Sequence, residues 1–323
     1  MEEFKYLIPE ESMDAIINNV DTFREIENDL RNIFKNHNCN EVLMPSFEYV
    51  DLYDQLDIGL DRDRMFQYIN HESKNVAMRV DYTIPLARLY ANSYKNEEKR
   101  FSYFGTVYRK ERMHKGRSSE FYQCGIELMG NTSKEGDNEC LRIIEEALPK
   151  LKLDNVIIEL GSARFFNRLI ELVGDYKNEI TNILSFRNIS EMEKLVLKAN
   201  FDKKLTKLLI KLPTLLGSIE MLDETINDLN DQELIDSLNE IKESYNSLKN
   251  RENILFDLGM VPSMKYYTGL MIRGYSSHSA SPILSGGRYD DILPRFECNK
   301  GAIGFSFNMN RILDALESEE DHD

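Results

Sequence analysis

The chain has 323 residues, 41% of them hydrophobic, which is enough for a sizeable core and, against the usual upper size of a single core, points to one large domain carrying an insertion. Its 56 acidic side chains outweigh 40 basic ones, for a formal net charge of -16, so the overall field repels polyanions and argues against nucleic-acid binding. Cys39, Cys124, Cys140 and Cys298 are scattered without CxxC or zinc-like spacing, which predicts buried free thiols and no metal site. The opening "MEEFKYLIPEES" has neither a basic leader nor an apolar one, and no apolar run approaches the roughly 18 residues of a membrane span. A cytoplasmic protein is expected.

In chain order, residues 11–38 have helical apolar spacing, with Val20, Phe23, Ile26 and Leu30 near one face. "NEVLMPSFEY" reads as a strand interrupted by Pro45, which suits an edge or a strand end. "MFQYINHESKNVAMRV" predicts a hairpin around "NHESKN", and "DYTIPLARLYAN" runs into a helix. Two strands flank the basic, glycine-containing loop of 101–130, a helix is expected over 137–150, and "NVIIELG" forms the next strand. From about 163 to 250 glycine becomes rare and apolar residues recur at three and four, which predicts an all-helical insertion. Strand texture returns in "RENILFDLG" and "KYYTGLMIRGYS"; "LSGGRYDD" reads as a glycine turn, and "GAIGFSFNMN" leads into a last helix. Hairpin-linked strands with peripheral helices predict an α+β fold built on an antiparallel sheet. The domain limits drawn from this texture are a core over 1–316, interrupted by the insertion at 163–250, and an acidic, disordered tail over 317–323.

The strand over 120–129 is charged where a core strand should be apolar. Side chains alternate faces, so Tyr122, Cys124, Ile126 and Leu128 form a core face, while Phe121, Gln123, Gly125 and Glu127 point the other way. A solvated sheet face would also explain Gln123 and Glu127. The neighbours favour a site: "MRVDYT" supplies Arg79, Asp81 and Thr83, "YRKER" supplies Arg109 and Arg112, and "KYYTG" adds Tyr266 and Tyr267. Acceptors, donors and aromatics on one face describe a pocket for a small zwitterion.

These same residues carry a family resemblance. "YRKERMHKGRSSEFYQCGIELMG" resembles the second signature motif of class II aminoacyl-tRNA synthetases in their histidyl form. "YYTG" and "LSGGRYDDI" resemble that enzyme's histidine-specific segments, and "AIGFSFNMNRIL" occupies the place of the third motif. The resemblance covers nearly the whole chain and implies a class II synthetase-like antiparallel sheet with flanking helices. Two departures bear on activity: Pro262 stands where those enzymes carry a catalytic arginine, and Asn308 replaces a glycine that makes room for the nucleotide, although Arg311 remains. The chain ends twelve residues after Arg311, where a synthetase continues into an anticodon-reading domain of about 100 residues, so no tRNA is expected as partner.

"VDYTIPLAR" and "FDLGMVPSMKYYTG" bring the chain nearest to the regulatory-subunit family of ATP phosphoribosyltransferase. That resemblance implies a regulatory protein without catalytic residues or cofactor. It also implies a hetero-oligomer with the short catalytic subunit that performs the first step of histidine biosynthesis, self-association as a dimer, and feedback by histidine. Asp290 and Asp291 lack the glycine and hydroxyl neighbours of a diphosphate loop, consistent with chemistry on another chain. The implied histidine site gives the imidazole to Glu127 and Tyr267, the ammonium to Asp81, Thr83 and Gln123, and the carboxylate to Arg109, with Tyr266 shaping the walls. Gly286 and Gly287 are expected to serve the turn, leaving only Arg288 of that motif within reach of a ligand. The competing expectation is a truncated synthetase-like ligase that activates histidine for an acceptor other than tRNA.

Overall fold

The computed structural model describes residues 17–56, 59–60, 62–110 and 118–320. The first apolar stripe forms α1 (Ile17–Asn36), which buries Ile26, Leu30, Ile33 and Phe34; residues 11–16 of the expected helix lie outside the described residues. Asn38, at φ 57°, turns the chain in the left-handed region that asparagine tolerates. Pro45 then splits the expected strand into two pieces that enter different sheets. β1 (Asn40–Glu41) runs parallel to β5 (Lys99–Tyr108) at one edge of the main sheet. β2 (Phe47–Tyr49) joins the predicted hairpin of β3 (Gln67–Ile69) and β4 (Asn75–Met78) in a three-stranded sheet of order β2-β4-β3. Between these lie α2 (Val50–Leu56) and, after β4, α3 (Thr83–Ser93).

The main sheet has nine strands in the order β1-β5-β6-β12-β11-β10-β7-β9-β8. Its other members are β6 (Glu120–Met129), β7 (Ile157–Ser162), β8 (Leu216–Gly217), β9 (Ile254–Asp257), β10 (Leu270–Tyr275), β11 (Leu284–Arg288) and β12 (Ala302–Asn308). It is mixed rather than purely antiparallel, because β1 with β5 and β7 with β9 pair in parallel. The helix expected over 137–150 is α4 (Lys134–Ala147) followed by a tight 3-10 turn over Leu148–Lys150 that begins with Pro149 at its second residue.

The insertion leaves the sheet after β7 and returns at β9. It contains α5 (Ala163–Val173), α6 (Lys177–Ser185), α7 (Ile189–Ala199), α8 (Lys203–Lys211), α9 (Ile219–Asp228) and α10 (Gln232–Asn246). Side-chain caps start several of them: Ser162 accepts from Phe165 N, Asn188 from Glu191 N and Asp231 from Leu234 N. One segment departs from the all-helical expectation. β8 adds antiparallel to β9, and the Leu215 carbonyl accepts from Leu258 N at 3.0 Å, so the insertion contributes an edge strand to the main sheet. The last helix, α11 (Met309–Glu320), continues through 317–320, where a disordered tail was expected. Ser318 Oγ donates to the Asp314 carbonyl there, and Glu317 accepts from Asn19 on α1.

Strand alternation sets the two faces. Cys124, Ile126 and Leu128 of β6 are buried against Ile26, Leu30 and Phe34 of α1 and Leu141 of α4. On the opposite side, Tyr103 of β5 stacks on Tyr82 with ring centroids 4.1 Å apart, within a second core that includes Tyr266 and Tyr289. All four cysteines are free and buried, as their isolated placement in the sequence predicts.

"LSGGRYDD" is a strand rather than a turn. Gly286 and Gly287 lie in β11 between β10 and β12, and each is glycine because of close approach: a Cβ on Gly286 would meet the Gly304 carbonyl at 2.5 Å, and one on Gly287 the Leu270 carbonyl at 2.5 Å.

Candidate functional site

The face of β5, β6, β12 and β11 opposite α1 floors a cavity of about 340 Å³, walled by the start of α3 and by residues 263–267. All seven residues assigned to a zwitterion site line it: Asp81, Thr83, Arg109, Gln123, Glu127, Tyr266 and Tyr267. They come from four separate parts of the sequence. Asp81 and Thr83 arrive on the turn into α3, Arg109 at the end of β5, Gln123 and Glu127 on alternate positions of β6, and the tyrosines on the segment before β10.

Glu127 is 2% exposed, and both its oxygens are engaged: Thr83 Oγ1 donates to Oε1 at 2.7 Å, and Tyr289 OH donates to Oε2. Burial pushes its carboxyl up to about 7, opposed by those two hydrogen bonds and reinforced by Asp81. Asp81 is 4% exposed and is pushed up to about 6, again by burial first, with Arg109 pulling back. Its Oδ1 accepts a long 3.4 Å bond from Ile84 N, while Oδ2 is buried with no partner among the described residues. A buried acceptor without a donor is uncommon in a folded protein and is costly unless a ligand or water supplies one.

Arg109 is fixed by Nε donating to the Val80 carbonyl at 2.8 Å and by its guanidinium lying 5.4 Å from the Phe121 ring centroid. Tyr266 and Tyr267 meet edge to face with centroids 5.4 Å apart, and Tyr266 makes a second such contact with Tyr289 at 5.7 Å. Burial, then Glu127, raises the Tyr267 hydroxyl to about 12, so it stays protonated and able to donate.

Other residues named from the sequence sit elsewhere. Arg79 does not line the cavity; its guanidinium donates to the Met44, Pro45 and Thr106 carbonyls and covers the Tyr82 ring at 4.2 Å. Arg288 is also turned away. It pairs with Asp137 at 2.7 Å and Asp290 at 3.0 Å and donates to the Ser133 carbonyl, so it anchors α4 to the sheet instead of reaching a ligand. Asp290 accepts from Ala302 N at 3.0 Å, a structural use. Arg112 lies outside the described residues. Pro262 borders a separate cavity beside Arg187 and Arg273. Asn308 does line the main cavity, and its Oδ1 caps α11 by accepting from Arg311 N at 3.1 Å; Arg311 Nη1 donates to the Pro282 carbonyl at 2.7 Å.

Two residues of the site went unrecognised in the sequence. Tyr289 holds Glu127, and the alternation Ser285, Gly287, Tyr289 would have placed it on the cavity face had β11 been read as a strand. Gly304 pairs with Glu127 in register, and any side chain there would overlap the Glu127 carboxyl.

A family model described as histidyl-tRNA synthetase matches residues 13–312. The chain is 41% identical over 323 residues to a Lactococcus lactis subsp. lactis protein named ATP phosphoribosyltransferase regulatory subunit, covering 99% of this chain and 98% of that one. A Clostridium acetobutylicum protein of the same name is 32% identical over 98% of this chain and 80% of its own length. Among solved structures, one titled an ATP phosphoribosyltransferase regulatory subunit/histidyl-tRNA synthetase from Bacillus halodurans C superposes with a TM-score of 0.88 at 24% identity, covering 96% of this chain and 83% of that one.

Proposed function

The chain belongs to the histidyl-tRNA synthetase-like family of ATP phosphoribosyltransferase regulatory subunits, and from that membership we propose that it senses histidine in the cavity on β6 and passes the signal to a separate catalytic chain. Its role is regulatory, in histidine biosynthesis. The observation that carries the ligand assignment is the Oδ2 of buried Asp81, without a partner among the described residues, beside buried Glu127, in a cavity also lined by Arg109, Phe121, Tyr266, Tyr267 and Tyr289.

Histidine matches that arrangement group by group. Its ammonium supplies the donors that Asp81 lacks, with Thr83 and Gln123 adjoining. Its carboxylate meets the Arg109 guanidinium, its imidazole N–H donates to Glu127, and the Tyr267 hydroxyl donates to the other ring nitrogen. Tyr266 packs behind the ring. In this reading the chain performs no aminoacylation and binds no tRNA.

A second copy is proposed to pack on the outer side of the three-stranded sheet. Phe47 (49%), Tyr49 (46%) and Tyr68 (45%) are exposed there on one face, and Phe47 and Tyr68 touch edge to face at 5.4 Å. Apolar surface collected in one place marks an interaction site. Tyr68→Asp should convert the dimer to a monomer in light scattering.

The decisive experiment mixes the chain with the short catalytic chain from the same organism, follows the complex by size-exclusion chromatography, and assays condensation of ATP with phosphoribosyl diphosphate. A co-eluting complex, more active than the catalytic chain alone and inhibited by histidine, is expected. Separate elution at micromolar concentration with an equally active lone catalytic chain would overturn the regulatory reading.

A further inference from the structure

We propose that Tyr53 is a positioning residue for the amino-acid ligand, its hydroxyl donating to the Asp81 carboxylate from behind the cavity as that carboxylate takes up the ligand's ammonium. The proposal rests on the histidine reading above and adds to it a residue that does not line the cavity.

Buried side-chain polar atoms are almost all paired in folded proteins, so each exception calls for a reason. Among the described residues four such atoms have no hydrogen-bond partner, and three of them gather at α2, α3 and the turn between β4 and α3: Tyr53 OH, Arg88 Nε and Asp81 Oδ2. Tyr53 is 2% exposed and Asp81 4%. One of these two residues carries a proton without an acceptor, and the other an oxygen without a donor.

Packing and charge bring the pair together. Tyr53 shares a buried core with Val80, Tyr82 and Ile84, which bracket Asp81 in the chain. Its hydroxyl is held well above the usual tyrosine range by burial first, then by the Asp81 carboxylate, and then by Glu48. The Val80 N–H acts the other way, which sets the phenol oxygen toward the Val80–Asp81 backbone, although no hydrogen bond joins them. A phenol oxygen that faces an N–H carries its own proton on another side.

Glu48 is the competing acceptor, and it is already served. It is buried on β2 and pairs with Arg88 of α3 at 2.5 Å. Asp81 has only the long 3.4 Å bond from Ile84 N, whereas an ionised carboxylate offers about four acceptor positions. The other charged and titratable groups that face Asp81 are Arg79, Arg109, Glu48, Tyr103, Glu127 and Tyr266, and none of them hydrogen-bonds its Oδ2. Room remains for an ammonium on one side and a phenol on the other. An ammonium is held best by an ionised carboxylate, and in a buried site each further donor stabilises that charge. Donation by Tyr53 therefore favours the complex over the free chain.

The test compares wild type with Tyr53→Phe and with Tyr90→Phe, a buried tyrosine of the same core whose hydroxyl already donates to the Glu97 carbonyl. Each is titrated, by calorimetry and ligand-observed NMR, with histidine and with imidazolepropionate, which is histidine without its ammonium. Tyr53→Phe should weaken histidine by about 5- to 10-fold, the scale of one net hydrogen bond, and leave imidazolepropionate unchanged. A packing defect would weaken both ligands alike. Tyr90→Phe should keep both affinities at the wild-type level. Because Tyr53→Phe removes a buried hydroxyl that has no partner, its urea midpoint should equal or exceed that of wild type. Unchanged histidine affinity in Tyr53→Phe, an equal loss for both ligands, a matching loss in Tyr90→Phe, or a lowered urea midpoint overturns the role of Tyr53. A wild type that does not bind histidine overturns the ligand reading itself.

Discussion

Replacing Glu127 by glutamine keeps the shape of the cavity floor and removes a titration. In the folded chain the Glu127 carboxyl is raised from 4.5 to about 7, chiefly by burial. Between those values the folded state holds a proton that the unfolded chain has released, so stability is fully present below pH 4.5 and is lost as pH rises through 7. The slope of unfolding free energy with pH is negative there, and integrated over the interval it amounts to about 3 kcal/mol. Asp81, raised from 3.8 to about 6, acts in the same direction over a lower window. Urea unfolding of wild type and Glu127→Gln at pH 5, 6, 7 and 8 should give a difference in free energy that grows by about 2 to 3 kcal/mol in favour of the variant across the series. Parallel curves, with a difference constant within about 0.5 kcal/mol, would refute the argument that burial rather than pairing governs this carboxyl. The same titration should appear in ligand binding. An imidazole N–H donates best to an ionised carboxylate, so histidine binding at pH 7 should release protons, seen as a calorimetric enthalpy that depends on the buffer.

Glu127→Ala should weaken histidine binding by about 10- to 150-fold, the worth of a charge-assisted hydrogen bond, whereas Glu120→Ala, at the start of β6 and outside the cavity lining, should have little effect; equal affinities by calorimetry would exclude Glu127 as the imidazole acceptor. Gly304→Ala drives a methyl group into the Glu127 carboxyl, so it should abolish histidine binding and cost about 1 to 3 kcal/mol in chemical denaturation, and a wild-type affinity would show that the floor yields. Histidine-dependent exchange of labelled pyrophosphate into ATP should be absent, since losing even one preorganised cation at a transferring phosphate typically costs about 10² to 10³ in rate; exchange at a synthetase-like rate would restore the ligase alternative.

Much of the site was legible because strand alternation is a strict rule. Once β6 is recognised, the burial of Cys124, Ile126 and Leu128 forces Gln123 and Glu127 onto the opposite face, and the motif resemblance then collects Asp81, Arg109 and the paired tyrosines around them. What failed were residues whose partners are distant in sequence. Two adjacent glycines look like a turn locally, yet Gly286 and Gly287 are dictated by the backbones of β12 and β10 on either side, which no short window contains. Arg79 and Arg288 look alike in sequence to Arg109, but each finds its partners, carbonyls in one case and Asp137 with Asp290 in the other, only after folding. The two-residue β8 is too short to carry any periodicity and exists because β9 offers it an edge.

The arrangement of charges supports the proposal that this synthetase-like pocket serves as a sensor. An activating site must hold an amino acid and then act on its carboxylate with further cations, whereas a sensor needs only a large difference between filled and empty states. Two buried carboxyls, Asp81 adding to the rise of Glu127 and itself carrying an oxygen without a partner among the described residues, make the empty cavity electrostatically costly, and a ligand bringing an ammonium and an N–H would remove that cost. Differential affinity of this kind is what shifts a conformational equilibrium, because a ligand moves populations only by the amount it binds one state better than the other. In that proposal the groups that would feel the change are the segment carrying Tyr266 and Tyr267, whose far end is held by Asp257 through Gly259. With Asp257 paired to Arg187 on the insertion, any ordering of the tyrosines by the proposed histidine ligand would be felt at the α6 to α7 turn. Coupling through such a link is typically about 1 to 3 kcal/mol and is reciprocal for binding, so a catalytic chain that prefers the histidine-free arrangement must weaken histidine binding by the same factor with which histidine weakens the complex.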